Sequence, residues 1–358
     1  MDRRSQVYTQ LQWLQMHVLR LSLTHANASP FGIPSRAFWI PMGVICLFNF
    51  ISQVSNAQDT EYRGTGKKLS ALLASGVPLS PAHLVLVNED VSPRDFGVIK
   101  KHCSIESIVW GEFPDGVNLT NDSLRSLTSF TTLKELSVYA SAGHALDWGE
   151  LGKLTNLKNL SLIGNISFPE DSLRTWSQLV ELESLELDGE FESPKCFAFL
   201  DNLKDIRSFK LNTKTANLEF LEIVRRLKSL KRLELNNVEG VSSEQLTEMA
   251  RAFGPNLEEL AIILNDDMSL EHLKLFPRLQ HLQVTWSVPT KVDFQFLAGN
   301  PKLTSVVMYR AIGETSTILN VVKTHKTLQR IIVSPELSTS RALFWEKEKA
   351  STEANTDK

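Results

Sequence analysis

Cysteine is scarce in this sequence, and neither sign of charge predominates. The chain of 358 residues contains three cysteines, which excludes a protein held together by a disulfide framework. Lys and Arg number 38 against 41 Asp and Glu, and the net charge of -3 excludes a strongly basic nucleic-acid platform and an acidic tail. The motifs H-E-x-x-H, C-x-x-C and G-x-S-x-G are missing, and no two histidines have ligand spacing. We therefore predict no catalytic site, no cofactor and no metal site.

Leucine is abundant, with 52 residues in the chain, and it recurs in a regular pattern. Segments such as TLKELSV (132–138), SLKRLEL (229–235) and RLQHLQV (278–284) share the spacing L-x-x-L-x-L, which predicts a short strand of period two. The interval between successive segments is about 25 residues, the length of one strand-plus-helix repeat. The first positions of the pattern are Pro81, Ile105, Leu133, Leu157, Leu182, Ile206, Leu230, Leu257, Leu279, Leu303 and Leu328.

The stretches between the strands have helical spacing, and several begin with a start signal. In SSEQLTEMARAF (242–253), Ser242 or Ser243 can cap a helix that places Leu246, Met249 and Phe253 on one face. PEDSLRTWSQLV (169–180) and TSTILNVVKTHKT (315–327) predict further helices of the same kind. One strand and one helix of this size cannot bury an apolar side alone, so neighbouring repeats must stack.

Over residues 80–337 the chain resembles the leucine-rich repeat family. The family consensus places Asn or Cys after the third apolar position, and only Asn165 and Asn265 fit that place, so the subclass stays open. The resemblance implies an α/β solenoid shaped like a horseshoe, with a parallel β-sheet on the concave face and helices on the convex face. It also implies a non-catalytic protein that binds protein or peptide ligands.

The repeat pattern divides the chain into four parts. Residues 1–57 form an N-terminal extension and leader, and residues 58–80 a linker and N-terminal cap with a short helix. Residues 81–337 hold about eleven repeats. Residues 338–358 provide a C-terminal cap, in which Leu343, Phe344 and Trp345 cover the last repeat, followed by a disordered tail.

The leader contains an uncharged apolar run, Ala37–Ile51, followed by small residues at Ser55 and Ala57. This arrangement predicts a secretory signal cleaved near 57/58 and export to the periplasm, the cell surface or the medium. One alternative is a signal anchor that holds the chain in the membrane by residues 37–51, although the run is short for a bilayer span of about 20 residues. The other alternative is a buried core segment. The run lies unusually far from Met1, and three explanations compete: a start site assigned too early, a long polar leader or an organellar presequence. We favour the first explanation.

Cys103 and Cys196 remain in a mature chain and lie about four repeats apart, about 19 Å at the usual spacing of strands. That distance is too long for a disulfide, so both are expected to be free, buried thiols. The absence of cysteine-rich caps favours a bacterial envelope protein over the extracellular repeat proteins of animals.

The concave face is the expected binding surface. In each unit the first, fourth and sixth positions point inward, so the third, fifth and seventh face the concave side. The middle units place charges of both signs there, and the later units add apolar and aromatic residues beside Arg330 and His281, a composition typical of binding hot spots. The candidate ligand-binding residues are Tyr139, Glu186, Asp188, Lys210, Arg232, Glu234, His281, Gln283, Trp286, Tyr309 and Arg330.

Three classes of function are compatible with the sequence. The first is an exported interaction scaffold that binds a protein or peptide. It would have no nucleic-acid partner, and only its leader would contact a membrane. The second is an intracellular adaptor that recruits substrates, for which residues 1–57 would have to fold as a pair of helices, against the evidence of Pro41. The third is an enzyme on the concave face, either an esterase or a glycan hydrolase, which would use paired carboxylates such as Glu186 and Glu234. Solvated surface acids explain these two residues more simply.

Overall fold

The computed structural model describes most of the repeat region and none of the leader. The described residues are 61–77, 79–87, 91–112, 116–141, 146–213, 222, 224–236, 241–264, 270–337 and 342–346. The predicted signal segment, its alternatives and the predicted disordered tail lie outside them.

Within the described residues, one sheet contains thirteen strands that lie side by side in chain order. All neighbours in this sheet are parallel except the last two, which are antiparallel. The strands are β1 (Glu61–Gly64), β2 (His83–Leu86), β3 (Ser107–Trp110), β4 (Glu135–Ala140), β5 (Asn159–Gly164), β7 (Ser184–Asp188), β9 (Ser208–Asn212), β10 (Arg232–Asn236), β11 (Glu259–Leu264), β12 (His281–Lys291), β13 (Ser305–Ile312), β14 (Arg330–Ser334) and β15 (Leu343–Glu346). A second, parallel pair consists of β6 (Ser167–Phe168) and β8 (Glu190–Phe191).

Most crossovers between strands carry either an α-helix or a 3₁₀ helix. The α-helices are α1 (Gly66–Ala74), α2 (Pro93–His102), α3 (Asn121–Leu127), α4 (Ser243–Phe253) and α5 (Thr315–Thr324). The 3₁₀ helices are Trp148–Lys153, Arg174–Gln178, Pro194–Asn202, Leu270–Leu275 and Phe294–Gly299. None of the helices that the structure describes has the length and apolar character needed to cross a bilayer.

Of the three helices predicted above between strands of the repeats, two are confirmed and one is wrong. Helix α4 begins with a capping box, in which the Ser242 hydroxyl accepts from the Gln245 amide at 3.3 Å and the Gln245 side chain accepts from the Ser242 amide at 2.7 Å. Helix α5 forms from the predicted segment at 315–327. The segment at 169–180 forms only the short 3₁₀ helix Arg174–Gln178, because the same crossover also contains β6.

The apolar positions of the repeat build one continuous core between the sheet and the helices. Leu133, Leu136 and Val138, the first, fourth and sixth positions of one unit, are all almost completely buried. Strands in a sheet are about 4.8 Å apart, whereas packed helices need about 8–10 Å. The sheet therefore forms the inner, concave face of a curved solenoid and the helices the outer, convex one.

The two cysteines predicted to be free behave as expected. Cys103 and Cys196 are both unpaired and buried. Burial raises the pKa of both thiols, so neither is a reactive thiolate at neutral pH.

Both ends of the sheet differ in part from the sequence prediction. The segment predicted to be a linker and cap contains the expected helix α1, but it also contributes β1, so the sheet begins one strand before the predicted first unit. At the other end Leu343 and Trp345 pack against the core as predicted. The prediction for Phe344 was wrong: it alternates to the other face of β15 and is 55% exposed.

Candidate functional site

The concave face is formed by side chains at the third, fifth and seventh positions of each unit. Because the strands pair in register, equivalent residues form straight rows across the sheet. The fifth-position row runs through Ser161, Glu186, Lys210 and Glu234 on β5, β7, β9 and β10. The third-position row includes Arg232, Glu259 and His281 on β10, β11 and β12, in the same sheet.

The middle of the fifth-position row is an ionic cluster centred on Lys210. Its ammonium lies 2.7 Å from a Glu186 oxygen and 3.7 Å from a Glu234 oxygen. The Ser161 hydroxyl donates to the other Glu186 oxygen at 2.8 Å. Desolvation alone would lower the pKa of Lys210, but the carboxylates of Glu234 and Glu186 outweigh it and raise the pKa above the usual 10.5. Lys210 is therefore charged throughout the physiological range.

Asp188, also in this region, is an acid whose ionisation is opposed by desolvation. It is half-buried at the seventh position of β7, and the side-chain amide of Asn212 donates to it at 2.8 Å. Desolvation raises its pKa, and the neighbouring Glu186 adds to the rise, although Asn212 and Lys210 act in the opposite direction. The carboxylate form is thus less stable in the folded chain than in water.

The third-position row presents charge that reaches solvent. The Arg232 guanidinium lies 3.0 Å from a Glu259 oxygen, with side chains that are 34% and 27% exposed. His281 stands beside Glu259 in the register and its side chain is exposed at the surface. Crowding by neighbouring groups desolvates the imidazole and lowers its pKa, the Arg232 charge lowers it further, and Glu259 and Glu258 act against the shift. Because the pKa falls below 6.5, the ring is neutral at pH 7.

Arg330 and Phe344 form the C-terminal boundary of the face. The guanidinium carbon of Arg330 lies 5.8 Å from the centre of the Phe344 ring, a cation–π contact. Tyr139 is half-buried on β4, far across the sheet from this pair, and Gln283 is 9% exposed. The structure therefore spreads most of the predicted residues along the face, with three separate local groups among them.

Two predicted site residues are not available to a ligand, which corrects the sequence prediction. Trp286 is 1% exposed and belongs to the main core, because β12 continues past the repeat pattern and its alternation turns the eighth position inward. Tyr309 does point to the concave side but is 2% exposed, because Leu337 and Ala342 pack over it together with Val307 and Ile332. The later part of the face is thus not the exposed aromatic surface that the sequence suggested.

Residues missing from the predicted set complete these groups. Glu259 and Asn212 occupy the same rows as predicted residues, so the register of the repeat could have identified them. Phe344 could have been found from the period-two alternation of LFWE, which separates it from Leu343 and Trp345. In the part of the chain that the structure describes, no group of three or more His, Cys, Asp or Glu side chains is placed to hold a metal ion.

The pairing of successive strands decides the fold. Glu135 pairs with Asn159 and Ser208 with Arg232, in each case the same position of the next repeat and in parallel. The chain folds as a leucine-rich repeat solenoid. Its sheet is open, with the leucine positions inside and the positions between them on the concave face.

Solved structures with a similar solenoid come from distant proteins. One is an internalin from Listeria monocytogenes, with a TM-score of 0.44 and 16% identity over 75% of this chain and 83% of the internalin. Another is the leucine-rich repeat ectodomain of an Arabidopsis thaliana membrane receptor kinase, in complex with Casparian strip integrity factor 2, with a TM-score of 0.46 and 13% identity over 74% of this chain. A third is the Toll–Spatzle complex of Drosophila, with a TM-score of 0.44 and 12% identity over 72% of this chain.

The chain spans only 30% of the receptor kinase ectodomain chain and 40% of the Toll chain. No protein-family model matches the sequence, and no curated protein matches it.

Proposed function

We propose that the chain is a non-catalytic interaction scaffold that binds a protein or peptide on the concave face of its solenoid. The observation that carries the proposal is the row Arg232, Glu259 and His281, in which three polar side chains on adjacent strands reach solvent from a rigid sheet. A row of this kind suits a polar protein segment, because charged groups at the edge of an interface set specificity and the rate of association.

The size of a protein interface fits the face. A standard interface covers about 800 Å² on each partner, which is a square of about 28 Å, or about six strand spacings. A partner centred on Glu259 therefore covers the strands from β7 to β14 and contacts both the exposed row and the ionic cluster around Lys210. We expect the ionic cluster to act as a fixed charge pattern, since its members already pair with each other.

The alternative of a carboxylate pair that cleaves glycosidic bonds gains no support from this geometry. Lys210 lies between Glu186 and Glu234 and is bonded to Glu186, so its ammonium occupies the gap in which a scissile bond would have to lie.

Site-specific photo-cross-linking tests the proposed face. A photo-reactive amino acid in place of His281 should attach a defined partner in the native host, since position 281 reaches solvent from the middle of the proposed footprint. The matched control has the same amino acid in place of Leu275, which is 39% exposed at the end of a 3₁₀ helix on the convex side. Cross-links of equal yield to the same protein from both positions, or only from 275, would contradict the proposal.

We also propose that the scaffold is exported, with a cleaved leader of 57 residues followed by a cap, about eleven repeats and a C-terminal cap and tail. The support is the apolar run at 37–51 followed by Ser55 and Ala57 in the sequence. N-terminal sequencing of the protein from its native host should begin near Gln58. A chain recovered only from the cytoplasm with its leader intact would refute export, and a membrane-bound chain that keeps the leader would indicate a signal anchor.

A further inference from the structure

Seven charged residues, each immediately before a strand, form a continuous row along one edge of the sheet, the edge ladder. Each donates its backbone amide to the carbonyl of the same position one unit earlier, at 2.7 or 2.8 Å. Neighbouring members therefore lie about one strand spacing apart, about 4.8 Å along the backbone. The members, in order from β3 to β11, are Glu106, Lys134, Lys158, Glu183, Arg207, Lys231 and Glu258.

The order of charge along the edge ladder repeats every three strands. One acid is followed by two bases, and this order occurs twice before the final acid. In the middle, Glu183 is shared between Lys158 at 3.9 Å and Arg207 at 3.3 Å, two bases whose side chains are 47% and 58% exposed. The outer groups are simple ion pairs at 3.0 Å, Glu106 with Lys134 and Glu258 with Lys231.

Two gaps in the edge ladder bring bases together without an acid between them. Lys134 adjoins Lys158 at the first gap, and Arg207 adjoins Lys231 at the second. Each of these four bases is paired with an acid on its other side, so no carboxylate of the ladder occupies either gap. Like charges on adjacent strands repel, and a carboxylate placed between them removes the repulsion. Both gaps therefore favour an anion.

The first gap contains a cavity of about 250 Å³. Its lining residues are Glu106, Thr132, Lys134, Asn156, Lys158 and Glu181. All of them are polar or charged, so the cavity suits a polar side chain and not an apolar anchor. Glu106 is already bonded to Lys134, whereas the exposed acid Glu181 opposes an anion in the cavity.

The spacing of the gaps matches an extended peptide that runs across the strands. The centres of the gaps are three strand spacings apart, about 14 Å, and Glu183 lies midway, about 7 Å from each. An extended chain advances about 3.4 Å per residue, so residues i, i+2 and i+4 lie on one face at about 0, 7 and 14 Å. An acid, a base and an acid at these positions face the first gap, Glu183 and the second gap in turn.

We propose that the edge ladder binds an extended protein segment with an acid, a base and an acid at alternate positions. The charge order of the segment is the complement of the charge order of the ladder, which gives the interface its specificity. A nucleic acid suits the ladder less well, because closely spaced phosphates place negative charge against Glu183 as well as in the gaps. The edge ladder lies outside the concave face, so this surface is additional to the one of the proposed function.

The test uses the full chain and two fluorescent synthetic peptides at low salt. The ladder peptide carries Glu, Lys and Glu at alternate positions, separated by Ser. The control peptide has the same composition with the charged residues in the order Glu, Glu, Lys. Fluorescence anisotropy should give an affinity for the ladder peptide at least about 10-fold higher than for the control peptide. Equal affinities would overturn the inference, since they would indicate attraction by net charge alone.

Two substitutions at the first gap locate the bound peptide. Lys158→Glu reverses a charge there and should weaken binding of the ladder peptide by at least about 10-fold. Lys153→Glu, the matched control, makes the same change at a 62% exposed lysine of a 3₁₀ helix and should keep the wild-type affinity. Glu181→Gln removes the opposing acid and should tighten binding. An equal loss in both lysine variants, or no gain in Glu181→Gln, would overturn the inference.

Glu183→Lys separates the charge order from non-specific attraction. The substitution makes the ladder more positive, so attraction by net charge would bind the ladder peptide, whose net charge is negative, more tightly. We predict weaker binding instead, because the base of the peptide then faces a second base. A peptide with an acid in place of its base should recover affinity for this variant. Tighter binding of the ladder peptide by Glu183→Lys would overturn the inference.

A nucleic-acid partner is the competing outcome of the same assay. A poly-uridine oligonucleotide should bind the wild type more weakly than the ladder peptide does. Tighter binding of the oligonucleotide, abolished by Lys158→Glu, would overturn the inference in favour of a nucleic acid. None of these variants changes Arg232, Glu259 or His281, so failure of the edge ladder and failure of the concave face are separate outcomes.

Discussion

Replacement of Lys210 by Met tests whether the ionic cluster of the concave face stabilises the fold. Removal of one partner from a fully buried ion pair costs about 3–5 kcal/mol, because the remaining charge is left uncompensated. The side chains of Lys210, Glu186 and Glu234 are 20%, 10% and 25% exposed, so water screens part of this loss. We expect Lys210→Met to lower the free energy of unfolding at pH 7 by about 2–3 kcal/mol.

The effect of pH follows from the direction of the pKa shift. The pKa of Lys210 is raised in the folded chain, so its contribution is fully present below its unfolded value of 10.5 and is lost as the pH rises through the folded value. The contribution of Lys210 to the free energy of unfolding of the wild type is therefore constant between pH 5 and 9. The variant lacks this contribution at every pH, so its stability deficit should be the same at pH 7 and at pH 9.

Urea unfolding, followed by tryptophan fluorescence at both pH values, measures this deficit. Lys158→Met is the matched control, since Lys158 is 47% exposed and lies 3.9 Å from Glu183. Such a surface pair contributes about 0.5 kcal/mol or less. The reasoning is refuted if Lys210→Met loses no more stability than Lys158→Met, or if its deficit differs between pH 7 and pH 9.

Three further substitutions test other parts of the structure. Asp188→Asn should raise the free energy of unfolding at pH 7 by about 0.5 kcal/mol, because the raised pKa of Asp188 means that its charged form destabilises the folded chain. Thermal unfolding at pH 4, where the carboxyl is largely protonated in both states, should show no gain. Trp286→Ala should cost about 3–5 kcal/mol in urea unfolding, as for a buried aromatic, and should leave partner binding by the folded chain unchanged. Ser242→Ala should cost about 1 kcal/mol through loss of the helix cap, whereas Ser243→Ala should change the urea midpoint little.

The repeat positions were predictable because their physical causes are local. Leucine at the first, fourth and sixth positions alternates with polar residues over one strand, and burial of Leu133, Leu136 and Val138 follows from that alternation. The start of α4 at Ser243 was predictable for the same reason, since the cap and the residue that completes the capping box are three positions apart.

The errors at the site have causes that lie outside one repeat. Tyr309 is on the predicted face, but the residues that cover it come from the connection after β14, and no periodicity places that connection on the sheet. Trp286 was misplaced because the repeat pattern ends before the strand does, whereas β12 continues to Lys291. The 3₁₀ helix at Arg174–Gln178 could not be predicted from the helical spacing of its segment, because the pairing of β6 with β8 takes up part of that crossover.

The most direct test of the central claim is an exchange of charge within the exposed row. Arg232→Glu and Glu259→Arg each place like charges side by side, whereas the double variant restores the ion pair in the opposite direction. We predict that the double variant keeps the melting temperature of the wild type and binds the partner cross-linked at position 281 at least 10-fold more weakly, a loss of about 1.4 kcal/mol. Wild-type affinity in the double variant would contradict recognition through the concave face.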